Sequence, residues 1–166
     1  MKTFTNAAKD CLPSMVTTSI ALSATLAMVQ IFSNSGLNTG GLVSMPEQIS
    51  HSFANSLGGI WIFVAPFLGE IGAIISGSAT VSTLTFSPIQ YNVAEQLGLD
   101  TNVVLATQIM GGAVGNMICV HKVIAASAVV GLVGKEGEIL RKTLLPAIIY
   151  GLLVGIVGFV MLNFFM

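Results

Sequence analysis

The sequence predicts an all-α integral membrane protein, a multi-span helical bundle with a re-entrant hairpin and a broken transmembrane helix. Three observations predict it. The 166 residues are 54% hydrophobic and only 8% charged, with a mean hydropathy of +0.89, whereas soluble domains carry roughly 25% charged residues. A soluble chain so poor in charge would expose large aggregating patches. Second, apolar stretches long enough to cross a hydrocarbon core of ~30 Å recur along the chain. Third, two polar, glycine-rich runs, residues 77–83 and 108–116, interrupt such stretches. Loose backbone at membrane depth must be buried in protein or line a cavity. Paired interruptions of this kind point to the binding site of a membrane carrier.

The elements follow in order. A first span covers about 12–32, with Pro13 in its first turn and Thr17, Thr18, Ser19, Ser23 and Thr25 suited to close helix packing. Residues 33–56 form a connector in which 45–56 can make a short interfacial helix. Pro46 fits a helix start, and Glu47 fits the positive helix end; His51 reads as a surface or interface residue, with pH sensing as the alternative. A second span, about 57–75, is interrupted by Pro66, Gly69 and Glu70. After the polar run 76–83 comes a half-apolar limb, 84–97, carrying Pro88, Gln90, Asn92, Glu95 and Gln96. Gly98-Leu99-Asp100-Thr101 reads as a helix stop followed by a new N-cap. A third span, about 102–133, is too long for one plain crossing and is expected to break near 111–116. A charged loop is expected over 134–142. The fourth span, about 143–164, carries Gly151, Gly155 and Gly158, spaced for close approach of another helix.

Charge placement sets the topology. Lys2 and Lys9 precede the first span, and Lys135, Arg141 and Lys142 lie between the third and fourth. The positive-inside rule puts both groups in the cytoplasm, with the N-terminus. Residues 33–56 lack Lys and Arg and fall outside. Residues 57–101 must then begin and end outside. Two full passes satisfy that parity, and so does a re-entrant hairpin with its tip at 76–83. The short, polar second limb favours the hairpin.

The tip offers free backbone groups with the hydroxyls of Ser76, Ser78, Thr80, Ser82 and Thr83, and the break adds Gln108 and Asn116. Half-helix N-termini favour carboxylates, while carbonyls and C-terminal ends favour cations. A small organic anion with a cation or proton is the cargo such a site suits. Glu70 stands deep in apolar sequence, where a carboxylate must be paired or protonated. It reads as a proton carrier, as a partner for Lys122 or as an interfacial group. Lys122 can supply positive potential to an anion or reach the cytoplasmic face. Cys11 and Cys119 have no metal or redox spacing and read as small apolar fillers. The sequence contains no nucleophile–base set, HExxH helix, phosphate loop or dinucleotide fingerprint, and no basic cluster. The expectation is therefore no enzyme, catalytic residue, metal, organic cofactor or nucleic-acid partner.

At these residues the chain resembles a known family. Pro66-Phe67-Leu68-Gly69-Glu70-Ile71-Gly72-Ala73 and Ile75-Ser76-Gly77-Ser78-Ala79-Thr80-Val81-Ser82 are similar to the stretch that marks the bacterial L-lactate permeases. The likeness continues through Gln108-Ile109-Met110-Gly111-Gly112-Ala113-Val114-Gly115-Asn116 to His121, and through Gly131 to Gly137. The resemblance implies a proton-coupled importer of L-lactate and related 2-hydroxy monocarboxylates such as glycolate, in the bacterial plasma (inner) membrane. It also implies inverted repeats with paired hairpins. Members of the family are much longer, and this chain corresponds to their C-terminal portion. The expectation is a fragment or partial subunit partnered by the N-terminal part of the transporter. A non-transporting remnant of a split gene, or a small subunit completing a separately encoded transporter, are the alternatives. The family usually has Ser-Asn where Ser82-Thr83 stands, commonly Asn at Lys122, and a small or apolar residue at Glu70. Candidates for the substrate carboxylate are Ser78, Thr80, Ser82, Gln108, Gly112 and Asn116. Candidates for proton coupling are Glu70 and His121.

Overall fold

The computed structural model describes residues 16, 19, 20, 23, 24 and 26–164. Lys2, Lys9, Cys11, Pro13, Thr17, Thr18 and Thr25 lie outside the described residues. The described chain is helical, without a strand among those residues, and divides into two units, Met1–Ser44 and Met45–Met166.

In the first unit residues 26–33 are helical. Asn34 closes the helix: its backbone N–H and side-chain Nδ2 both donate to the Gln30 carbonyl, at 3.0 and 2.9 Å. The following loop folds around the Asn38 amide. Nδ2 donates to the carbonyls of Ser35 and Leu42, and Oδ1 accepts from the Leu42 N–H.

The second unit begins with α1, Met45–Leu57, with Pro46 and Glu47 in its first turn as the sequence suggests. One 3₁₀ turn, Gly58–Ile60, leads into α2, Trp61–Ser76. Gly77 ends α2 at φ +68°, a conformation that costs glycine no Cβ clash. The very next residue, Ser78, is the N-cap of α3, Ala79–Leu97, and accepts the Val81 N–H at 3.3 Å. Two residues thus reverse the chain. Gly98, at φ +66°, ends α3, and the Asp100 carboxylate caps α4, Thr101–Gly115, by accepting the N–H groups of Asn102 (2.8 Å) and Val103 (3.0 Å). This stop and restart is the one expected from Gly98-Leu99-Asp100-Thr101.

Beyond α4 a 3₁₀ turn, Asn116–Ile118, and an extended Cys119 precede α5, Val120–Val129. The two helical pieces are bent by 46°. The third predicted span is therefore broken, just past the glycines. The last helix, α6, runs Glu136–Phe164, so the charged loop expected over 134–142 is mostly helix. The reason is local: Glu136 and Glu138 occupy the first turn, where the helix dipole favours acids. Glu136 also turns back to accept the Gly134 N–H at 2.9 Å, and Glu138 pairs with Lys142 at 2.7 Å one turn on.

Helix α2 is the centre of this unit and packs against α3, α4 and α6, while α1 lies along α3. The Gln96 amide of α3 donates to the Ser50 hydroxyl of α1 at 2.9 Å, and Phe53 rests on Trp61 with ring centroids 5.4 Å apart. Outward positions are apolar as well, among them Ile75, Leu145 and Val157, which suits a lipid surround. Met45–Ser76 and Glu136–Phe164 are long and apolar enough to cross a membrane. The bent pair Thr101–Ile118 with Val120–Val129 makes a third if it counts as one span.

Candidate functional site

Two features position the site, a backbone-to-backbone helix crossing and a meeting of two chain interruptions. At the crossing of α2 and α4, three glycines replace side chains with main chain. A Cβ on Gly111 would overlap the Pro66 carbonyl, one on Gly115 the Glu70 carbonyl, and one on Gly69 the Gln108 carbonyl. Helices this close need small residues at the contact.

A line of buried side chains then ties α2, α3 and α4 together. Gln90 Nε2 donates to the Ala65 carbonyl at 3.0 Å and to Gln108 Oε1 at 2.9 Å. Gln108 Nε2 donates to Ser82 Oγ at 3.4 Å, and Ser82 donates to the Gly69 carbonyl at 2.7 Å. Ser82, Gln90 and Gln108 are all fully buried. All four links run donor to acceptor, which fixes the amide orientations; Gln90 Oε1 is left without a partner. Buried side-chain networks rigidify a packing to the extent that their members are paired, as all but Gln90 Oε1 are here.

The two interruptions meet at the α2–α3 turn. A Cβ on Gly77 would overlap the His121 imidazole and lie 3.1 Å from Cys119 Sγ. Cys119 is buried, with its sulfur 3.0 Å from His121 Nδ1. Nearby, Gly112 faces the Ala79 carbonyl, which a Cβ there would approach to 3.6 Å. The turn, the first residues of α3, the end of α4 and the start of α5 are therefore neighbours. No side chain caps α5; the N–H groups of Lys122 and Val123 donate to the Cys119 carbonyl at 3.1 and 3.0 Å, which leaves those of Val120 and His121 as the ones an anion at this helix start would meet. A cavity of about 370 Å³ flanks the break, mostly apolar, with Asn116, Lys122 and Thr143 on its wall. A cleft of about 430 Å³ lies at the other end of the unit, beside Trp61, Asp100 and Asn163.

The sequence-derived candidates fall into three places. Ser78, Thr80, Gly112, Asn116 and His121 stand around the turn and break; Thr80 and His121 are exposed, and Asn116 Oδ1 accepts from Lys122 Nζ. Ser82 and Gln108 lie deeper, in the buried line. Glu70 is separate: it is only 4% exposed, and Lys122, one partner considered for it, is bonded to Asn116 instead. Its Oε1 has no hydrogen-bond partner and faces Gly151 of α6, where a Cβ would come within 2.6 Å. Gln90 and Cys119 were not singled out for the site from sequence. The signal for Gln90 was spacing, since Ser82, Phe86 and Gln90 follow at intervals of four and share one helix face. Cys119 had no such signal.

Comparison with known proteins bears on the same residues. The family model described as L-lactate permease matches residues 1–165. The chain belongs to the L-lactate permease family. A putative L-lactate permease of Haemophilus influenzae is 42% identical over 134 residues, which is 81% of this chain and 24% of the relative. An L-lactate permease of Escherichia coli K12 is 31% identical over 137 residues, 82% of this chain and 23% of the relative. A glycolate permease of the same bacterium is 34% identical over 95 residues, 57% and 17% of the two chains. The chain thus spans about a quarter, or less, of the length of these permeases. No solved structure matches it.

Proposed function

We propose that this chain supplies one half of the carboxylate site of a proton-coupled carrier for L-lactate and related 2-hydroxy monocarboxylates, glycolate among them. The carrier acts across the bacterial plasma membrane. One observation carries the reading: the α2–α3 turn and the α4–α5 break, two places where backbone leaves the helix, lie against each other. Membership of the permease family and the printed names of the relatives support the substrate class.

In this reading the substrate carboxylate docks on Ser78, Thr80, Asn116 and the uncapped start of α5, with Gly112 allowing close approach. Ser82 and Gln108 hold the two helices beneath the site in place. The α2–α3 pair enters the membrane as a re-entrant hairpin, with the N-terminus of the chain cytoplasmic. The amides and the carboxylate of α3, at Gln90, Asn92, Glu95 and Gln96, support a limb that does not face lipid along its length. The remainder of the pathway comes from sequence corresponding to the other parts of the relatives, as a partner or as a longer chain.

The test is a chimaera in which this chain replaces the matching segment of the Haemophilus influenzae relative, expressed in cells without lactate uptake of their own. Labelled L-lactate and glycolate should enter, and Asn116→Ala with Thr80→Ala should cut initial uptake at least tenfold at unchanged membrane level. A membrane-inserted chimaera that takes up neither acid, or a double variant with full uptake, contradicts the proposal.

A further inference from the structure

Glu70 is the buried ionisable group that neither the crossing nor the turn–break site uses. Its backbone is pinned, because Gly115 of α4 lies directly on its carbonyl. Its side chain occupies the notch where Gly151 of α6 has no side chain. A Cβ there would stand 2.6 Å from Glu70 Oε1 and 2.8 Å from Phe67 Cε1. Oε1 is buried and has no hydrogen-bond partner.

Among the described residues no cation is placed to neutralise it. Helix α4 carries no charged residue. On α3, Tyr91 donates to Glu95 at 2.7 Å, and both are exposed. On α6 the nearest basic residues in sequence to Gly151 are Arg141 and Lys142, roughly 15 Å along the axis at 1.5 Å per residue. Lys142 pairs with Glu138. Tyr150 precedes the notch and is exposed, as are His51 on α1 and His121 and Lys122 on α5. Lys122 bonds Asn116, and neither Tyr150 nor either histidine bonds Glu70. An ionised carboxylate left unpaired among apolar groups is strongly disfavoured, whereas a carboxylic acid is tolerated.

We infer that Glu70 is the proton-binding residue of this protein: its carboxyl holds a proton while α2 and α6 are packed at Gly151 and gives it to water when they part. The inference rests on the transport reading only for the use made of that proton. Ionised Glu70 gains hydration in an opened notch, and protonated Glu70 loses little in a closed one. Proton binding and α2–α6 packing are then reciprocally linked. His121, the other residue considered for this role, is exposed on α5 and lies against Cys119 and the Gly77 turn rather than in the α2–α6 notch.

Infrared spectroscopy of the purified full chain in lipid nanodiscs reads the proton directly. At about pH 6 exposed glutamates are ionised, so a remaining protonated-carboxyl band, shifted by ¹³C-glutamate labelling, belongs to a buried acid. The expected result is one such band in the wild type, slow to exchange in heavy water and absent from Glu70→Gln. No band at that pH, or a band that survives Glu70→Gln, overturns the inference. Should the variant not fold, presence or absence of the labelled wild-type band decides alone. In the chimaera, Glu70→Gln should flatten the pH dependence of lactate uptake by at least fivefold; an unchanged pH profile overturns the coupling role. A wild-type band together with an inactive chimaera sinks the transport reading and leaves proton binding standing.

Discussion

At the α2–α4 crossing, glycine, serine and glutamine are used up inside the protein: Gly69, Gly111 and Gly115 touch opposing carbonyls, and Ser82, Gln90 and Gln108 bond each other and the helix backbone. At the α4–α5 break other polar residues stay nearer the surface, although Asn116 accepts from Lys122. Asn116 is half-buried, Thr80 and His121 are exposed, and α5 starts uncapped. Polar runs in apolar sequence therefore do two jobs that composition does not separate. One locks helices together; the other leaves backbone free to meet a ligand. The difference follows from neighbours, because a third helix covers the crossing while the break is left at the edge of the unit.

The contrast can be broken most severely at Gly111. A Cβ there overlaps backbone rather than a movable side chain, so Gly111→Ala should cost about 3 kcal/mol or more in detergent unfolding. Gly137→Ala, which meets nothing, serves as the control. Next comes Gln108→Leu, which leaves Ser82 and Gln90 short of a partner and should cost about 1–3 kcal/mol. Adding Gln90→Leu should recover part of that loss, a non-additive cycle that unconnected amides would not show. Asp100→Ala removes the α4 cap and should cost about 1 kcal/mol. The smallest effects belong to the exposed side: Asn116→Ala, and Glu138→Gln in the exposed pair with Lys142, should each change stability by less than about 0.5 kcal/mol. Asn116→Ala should nonetheless reduce uptake in the chimaera.

Much of this was legible in the chain. Gly98 and Asp100 carry stop and cap chemistry in four residues, and Pro46 with Glu47 announces α1. The glycines and Asn116 foretold a break in the third span. What sequence could not supply is the pairing of distant elements. Ser82 and Gln108 read as free polar groups because nothing local says that Gln108 of α4 meets Ser82 and Gln90, which share α3. Gly151 read as a packing glycine, yet the atom it admits is the Glu70 carboxyl, 81 positions earlier. The expected loop at 134–142 failed for a different reason: a cluster of charge reads as loop, whereas Glu136, Glu138 and Lys142 suit the first turns of a helix.

The meeting of the α2–α3 turn with the α4–α5 break is the central claim, and a cysteine pair tests it most directly. A Cβ at position 77 lies 3.1 Å from Cys119 Sγ, within bonding reach of a disulfide. The variant is Gly77→Cys with His121→Ala to make room and Cys11→Ser to leave one native thiol. Mild oxidation in native membranes, followed by alkylation and mass spectrometry, should show an intramolecular disulfide and no free thiol. Two freely alkylated cysteines after oxidation, in a chain that is still membrane-inserted, would contradict the account.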